Sequence, residues 1–334
     1  MKRSKTYVIA EIGINHNGSI KIAKKLIVDA KISGADAAKF QIFEPETLGR
    51  PKMQKNKDQK KNSKKNVTLD KMWKKVYLNE KKIKVLKKFC KKNNLDFICS
   101  VFDKKSLTKV LSIGVDYIKI ASSDINDIFL LKEVKSSGKK VILSTGMANL
   151  KEINRAKKIL GKKVDILHCV SMYPCPIKYA NLYRITQLRK ELGVNIGYSD
   201  HTKGNNACKI AIMLGAKVIE KHFTYNKKLI GADHNISADK GDLKEIVQFA
   251  RNYEEYLGNG KIKPSPLEEK NKNFFRKGLY FSKDIKNKKK ININDLAFLR
   301  PSNAMDVSNY KSILGKKLKK NVYKFQKIKN KLFF

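Results

Sequence analysis

The sequence predicts an α/β protein: a (β/α)8 TIM barrel followed by a small, mostly β module. Three observations carry this. Eight short apolar, β-rich runs recur along the first two-thirds of the chain, longer Lys-rich amphipathic stretches fill most gaps between them, and the rhythm stops after about residue 258. Each run is nearly continuous in hydrophobicity rather than alternating, as expected for strands of a parallel sheet covered on both faces.

The runs, in order, are "YVIAEIGI" (7–14), "DAAKFQIF" (36–43), "DFICSVF" (96–102), "VDYIKIAS" (115–122), "KVILST" (140–145), "VDILHCV" (164–170), "VNIGYSDH" (194–201) and "KVIEKHF" (217–223). Helical patterns cover 20–33, 80–93, 126–136, 149–160, 203–214 and 240–257. Gly34, Gly114, Gly138, Gly193 and Gly215 each stand just before a strand, where a glycine ends the preceding helix. Eight strands over roughly 250 residues favour the closed barrel over a doubly wound open sheet. Segment 44–75 is too long and polar for an ordinary connection and is predicted to be an insertion or lid after the second strand.

Residues 1–258 therefore form the barrel domain, and 259–272 form a linker with both Pro and Gly. Residues 273–334 form the second module. A unit of about 60 residues is marginal alone and gains stability by docking.

The chain has 334 residues, 41% of them hydrophobic, enough to bury a sizeable core. No apolar run approaches the roughly 20 residues that span a bilayer. "MKRSKTYVIAEIGI" begins like a signal peptide, but Glu11 interrupts its apolar run and no convincing cleavage site follows. A cytoplasmic location without membrane insertion is expected. Cys90, Cys99, Cys169, Cys175 and Cys208 form no CxxC pair and are odd in number, so buried, reduced thiols are expected. The formal charge of +44 would bind phosphate backbones at low salt. Only eight of the 74 basic residues are Arg, however, and the lysines are spread over every helical pattern. Specific nucleic-acid readers favour Arg with interleaved aromatics. A solvated surface is therefore expected, with no specific nucleic acid, although a basic nucleic-acid or anionic-surface binder remains the reading from another class.

In such a barrel the active site lies at the C-terminal ends of the strands. Polar residues there include Glu11, Lys39, Gln41, Ser100, Lys119, Ser122, Ser144, His168, Ser199, His201, Glu220 and His222. Lys39 and Lys119 lie inside otherwise apolar runs, where a lysine is costly unless an anion answers it. With Ser100, Ser122, Ser144 and Ser199 they suit a phosphate and a carboxylate together; two lysines snorkelling outward is the other reading. His201 and His222 end neighbouring runs. Adjacent strands lie about 4.8 Å apart, so both imidazoles could reach one metal with open positions, which would polarise a carbonyl. Spacing alone leaves this beside two ordinary strand-end histidines.

The stretches "IAEIGINHNGS", "AAKFQIF", "IKIASSD", "LSTGMA", "LHCVSMYPCP", "GYSDHT" and "EKHFT" occur in that order. Together they resemble the sialic acid synthase family, which includes N-acetylneuraminate, legionaminic acid and pseudaminic acid synthases. The tail "RKGLYFSKDIKNKKKININDLAFLRP" with "LGKKLKKNV" resembles that family's antifreeze-like (SAF) domain. The resemblance implies condensation of phosphoenolpyruvate with the open-chain aldehyde of an N-acetylated hexosamine, giving a nine-carbon 2-keto-3-deoxy acid and phosphate. It implies that Lys39 and Lys119 hold phosphoenolpyruvate, that Ser100, Ser122, Ser144 and Ser199 bond its phosphate or carboxylate, and that Glu11 handles protons or places water. It further implies that His201 and His222 ligate Mn²⁺ (or Mg²⁺ or Co²⁺). Tyr173 and Asp233 would contact the sugar, and Arg300 of a domain-swapped homodimer partner would bind its N-acetyl group. Four departures are visible. "SVFD" stands for Thr-Pro-Phe-Asp, "SSD" for Ser-Gly-Glu, and Ser171 stands where neuraminate synthases often carry Asn. The last is "GADHNISAD" (231–239) for a motif beginning Gly-Pro-Asp-His-Lys-Ala-Ser; it still resembles the motif of the manno-configured branch rather than the pseudaminic one. Synthases of eight-carbon acids share the barrel but lack the SAF tail.

Overall fold

The computed structural model describes residues 5–50, 52–53 and 68–334. Eight parallel strands close into a barrel in sequence order. They are β1 (Tyr7–Gly13), β2 (Ala37–Gln41), β3 (Asp96–Val101), β4 (Tyr117–Ile120), β5 (Lys140–Ser144), β6 (Val164–Cys169), β7 (Ile196–Asp200) and β8 (Val218–His222). β8 closes on β1 with Tyr7 opposite Val218 and Glu11 opposite His222.

Helices α1 (Ile20–Ile32), α2 (Leu69–Val76), α3 (Glu80–Lys92), α4 (Lys104–Ile113), α5 (Ile128–Ser136), α6 (Leu150–Leu160), α7 (Arg184–Leu192), α8 (Asn206–Met213) and α9 (Lys240–Leu257) surround it. Their starts are written in the sequence: Ser19, Asn79, Asp103, Asp127, Asn149 and Asp239 cap them through side-chain oxygens. Gly114 closes α4 at φ +75°, a left-handed conformation that β-carbon-bearing residues avoid. No helix is predicted above for 104–113 or 184–192. α4 nonetheless starts at a capping box of Asp103 and Ser106 and buries Leu107 and Val110. α7 is short and buries only Ile185, Leu188 and Leu192. α2 occupies the end of segment 44–75; residues 51 and 54–67 of the expected lid lie outside the described residues.

The strands bury two apolar faces. Their outer face, with Val8, Ala10, Phe40, Phe97 and Ile118, packs under the helices. Inside the barrel Ile9, Ala37, Ile98, Ile142, Leu167 and Val218 form a separate plug. Burying each Val, Leu, Ile or Phe side chain there contributes about 1.5–3 kcal/mol.

Residues Asn259–Phe334 form a second unit. Within the expected linker 259–272, α10 (Pro266–Phe275) forms instead of an irregular chain. Its start is a capping box, Ser265 with Glu268, and Pro266 occupies the first turn. The weak apolar periodicity concealed this helix, which buries none of its residues. A three-stranded antiparallel sheet follows, β9 (Gly278–Phe281) lying between β10 (Leu296–Leu299) and β11 (Met305–Asp306). Its core is Leu279, Phe281, Ile285, Ile313, Leu318 and Val322. Arg300 follows β10 and is exposed within this unit.

Candidate active site

Side chains alternate along a strand, and the alternation sorts the predicted residues. Above the apolar plug the inward positions carry Glu11, Lys39, Ser100, Lys119, Ser144, Ser199, Glu220, His201 and His222, all buried. The two lysines are 3% and 2% exposed, which rules out the outward-snorkelling reading.

Four charges meet here. Lys39 Nζ lies 3.0 Å from Glu11 Oε2 and 3.6 Å from Glu220 Oε2, and donates to Ser100 Oγ at 3.2 Å. Gln41 Nε2 donates to Glu11 Oε1 at 2.9 Å, and Ser199 Oγ donates to Glu220 Oε1 at 2.9 Å. Lys119 Nζ donates to the Ile120 carbonyl at 2.9 Å. Burial raises the Glu11 pKa and the Glu220 charge adds to this, against the pull of Lys39. Burial also acts on Glu220, but Lys119 and Lys39 outweigh it and hold that carboxyl low. The lysines divide as well. Burial opposes the Lys39 cation, yet Glu11 and Glu220 overcome it and raise its pKa. Burial lowers that of Lys119, which Glu220 only partly offsets.

Gly13 is what lets the Glu11 carboxylate lie under the first loop. Its φ is +51°, and a β-carbon there would stand 3.0 Å from Glu11 Oε1. On the opposite rim Gly146 N donates to Ser122 Oγ at 2.9 Å. A β-carbon at Gly146 would meet Ser171 Oγ at 2.3 Å and Ser122 Oγ at 2.9 Å, so this glycine keeps a small polar cradle open.

The imidazoles of His201 and His222 face each other with ring centroids 5.4 Å apart, and Tyr173 lies over His201 at 4.1 Å. His201 Nδ1 is 2.8 Å from the Val170 carbonyl and 3.8 Å from Cys169 Sγ. The shorter contact takes the Nδ1 proton, so in the neutral ring Nε2 carries the free lone pair. Burial disfavours the His201 cation, but Cys169 and the Val170 carbonyl raise its pKa to about 8. Burial, with His201 and Lys39 nearby, drives the His222 pKa well below the ordinary value. Half-buried Asp233 sits 3.8 Å from His222 Nδ1, and burial together with Glu11 raises its carboxyl to about 6. Asn15 ties the two loops of this seam, donating to the Phe223 carbonyl and to Ser237 Oγ, each at 2.9 Å.

Ser144 Oγ and His222 Nδ1 are buried without a hydrogen-bond partner, and Glu11 Oε2 and Glu220 Oε2 meet only the Lys39 cation. Under-bonded polar atoms gathered in one chamber mark a place suited to a ligand. Among the described residues no group of three or more His, Cys, Asp or Glu side chains is set to hold a metal. A cation here would have two imidazoles as protein ligands. His222 is neutral and unbonded at Nδ1, and His201 has a fixed tautomer, so the pair fits an open metal site.

The structure thus brings together Glu11, Lys39, Lys119, Ser100, Ser144 and Ser199 with the two histidines, and puts Ser122, Tyr173 and Asp233 at the rim. Arg300 belongs to the second unit. Sequence reasoning gave no role to Glu220 or Gln41. The spacing of Glu220 and His222 on one strand, two apart and therefore on one face, was the available signal.

Fold and site together define a TIM-type barrel with an anion chamber beside a pair of imidazoles. The chain belongs to the NeuB family, which matches residues 26–262. It is 38% identical to N,N'-diacetyllegionaminic acid synthase of Campylobacter jejuni, over 95% of this chain and 97% of that one. It is 36% identical to the protein of that name from Legionella pneumophila, over 95% and 91%. The solved structure of N-acetylneuraminic acid (sialic acid) synthetase from Leptospira borgpetersenii, in complex with citrate, superposes with a TM-score of 0.69 at 35% identity, covering 80% of this chain and 90% of that one.

Proposed function

We infer that the protein is a phosphoenolpyruvate-dependent nonulosonic acid synthase. The observation that carries this is the pairing of Lys39 and Lys119 with a hydroxyl-lined, partly unsatisfied chamber next to His201 and His222. The four charges in the chamber (two lysines, two glutamates) cancel without substrate. Arrival of a phosphate and a carboxylate favours a protonated Glu11, the carboxyl with the raised pKa. Lys39 and Lys119 neutralise the phosphoenolpyruvate anion, and Ser100, Ser144 and Ser199 orient it. Its C3 forms the new bond to the aldehyde carbon, water adds at C2, and the C2–O bond breaks to release phosphate. Glu11 is placed to give or take the proton these steps require. A divalent metal on His201 and His222, Mn²⁺ in our reading, would supply Lewis-acid polarisation of the aldehyde.

The acceptor we propose is a 2,4-diacetamido-trideoxy hexose, giving a legionaminic-type product. The names of the two relatives above support it. N-acetylmannosamine is the nearest alternative, and a pseudaminic acid synthase of Campylobacter jejuni, 33% identical over 95% of this chain, marks another. Tyr173 and Asp233 would contact that sugar. We read the second unit as an antifreeze-like cap whose Arg300 reaches the site of a partner in a domain-swapped homodimer, and the enzyme as cytoplasmic. Phosphate release and product mass from N-acetylmannosamine, compared with its diacetamido relatives, test the reaction. Fastest turnover of N-acetylmannosamine would remove the legionaminic assignment, and no phosphate release with any of them would remove the synthase assignment. Deleting residues 272–334 should abolish turnover and leave a folded barrel; retained activity would remove the role of Arg300.

A further inference from the structure

Directly behind the two histidines, on the outer face of the same strands, lies a buried ion pair that the reaction does not use. Asp200 stands opposite Lys221 in the ladder of β7 and β8. They are 0% and 1% exposed, and Lys221 Nζ lies 2.7 Å from Asp200 Oδ2. Lys221 also donates to the Thr202 carbonyl at 2.5 Å. The Asp200 carboxylate collects four further donors: Thr202 N at 2.8 Å, Tyr198 OH at 2.9 Å, Thr202 Oγ1 at 3.2 Å and Cys208 Sγ of α8 at 3.3 Å.

The partners are not scattered. Residues 200 and 202 flank His201, and residue 221 precedes His222. Since side chains alternate along a strand, fixing Asp200 and Lys221 outward fixes the next residues, His201 and His222, inward. A charge this deep is costly unless it is well bonded, and here Asp200 meets five donors and Lys221 Nζ two acceptors. The pair is therefore spent on geometry where two hydrophobic residues would serve packing as well.

We propose that Asp200 and Lys221 are positioning residues that clamp the ends of β7 and β8 so that His201 and His222 hold one divalent cation. This rests on the metal reading of those histidines. A comparison pair exists at the opposite ends of the strands. Arg251 Nη2 lies 2.7 Å from Asp36 Oδ2, and Arg251 Nη1 is bonded to the Thr6 carbonyl at 2.6 Å, far along the strands from either histidine.

The test is Mn²⁺ affinity of the full chain by electron paramagnetic resonance of the free ion, alongside thermal unfolding. Asp200→Asn and Lys221→Met should each weaken Mn²⁺ binding by about 10-fold or more, the effect known for groups that orient metal ligands. Asp36→Asn should lower the melting temperature but leave Mn²⁺ affinity within about twofold. If the charge variants do not fold, Tyr198→Phe with Thr202→Val removes two neutral donors, keeps the ion pair, and should weaken binding roughly threefold. Unchanged Mn²⁺ affinity in that double variant, or an equal loss in Asp36→Asn, overturns the clamp. His201→Ala and His222→Ala separate the two ideas: if neither weakens Mn²⁺ binding, the metal assignment itself falls.

Discussion

Two layers inside one barrel, built from the same eight strands, have opposite chemistry. The lower is the plug of Ile9, Ala37, Ile98, Ile142, Leu167 and Val218. The upper, two residues further along each strand, holds Glu11, Lys39, Ser100, Lys119, Ser144, Cys169, Ser199 and Glu220. The plug gains by excluding water. The upper layer stays buried and charged only because its ions answer each other, while Ser144 Oγ and His222 Nδ1 are left without a hydrogen bond. Stability is stored in one layer, and the other, equally shielded from solvent, holds the residues we propose recognise substrate.

The largest expected break comes from Lys39→Met. It should lower kcat/KM for phosphoenolpyruvate by roughly 10²–10³. It also removes the main cation that holds down the Glu11 pKa, which is already raised, whereas Glu220 keeps Lys119. Stability should then fall more steeply than in the parent chain as pH rises above the ordinary carboxylate value, the native state holding more protons than the unfolded one. An unchanged pH profile would mean that Glu11 does not depend on Lys39.

The histidine edge of the upper layer, where we propose the metal binds, should respond to pH in a particular window. His201 keeps a proton below about 8, whereas His222 is already neutral. Mn²⁺ affinity should therefore rise by up to about tenfold per pH unit towards pH 8 and then level off. Affinity that is constant between pH 6 and 8 would detach the histidines from the ion.

Ile98→Ala tests the plug. It should cost about 2–5 kcal/mol in denaturant unfolding while KM for phosphoenolpyruvate changes less than about twofold in the folded fraction. A large change in KM would show that the two layers are coupled.

The smallest effect is expected at the rim, where burial raises the half-buried Asp124 carboxyl to about 6. A raised carboxyl opposes folding once it ionises. Asp124→Asn should stabilise the protein by about 1 kcal/mol at pH 7.5, after allowance for solvent screening, and hardly at all at pH 4. An equal gain at both pH values would point to packing rather than charge.

Much of this was legible in advance because it is periodic. Continuous apolar runs with glycine-ended helices between them dictate a parallel sheet, and the polar residues two apart at the run ends, Glu11, Lys39, Ser100 and Lys119, could be placed in one mouth. What hid was what periodicity does not carry. α4 opens on the Asp103–Ser106 capping box, α7 has no side-chain cap and is marked only by Gly193 at its end, and α10 buries none of its residues. The two readings of Lys39 and Lys119, inward or snorkelling, differ by which face of a strand a side chain takes. A run apolar on both faces leaves that undecided.

By itself the sequence determined the strand count, the strand order and the residues at the barrel mouth, because local hydrophobicity and capping act within a dozen residues. Only the tertiary structure decided that Glu220 joins Lys39 and Lys119, that Gln41 holds Glu11, and that Asp200 meets Lys221 behind the histidines. Those partners are separated by tens to hundreds of residues. Their pairing follows from ring closure and from the register that sets β8 against β1 and β7.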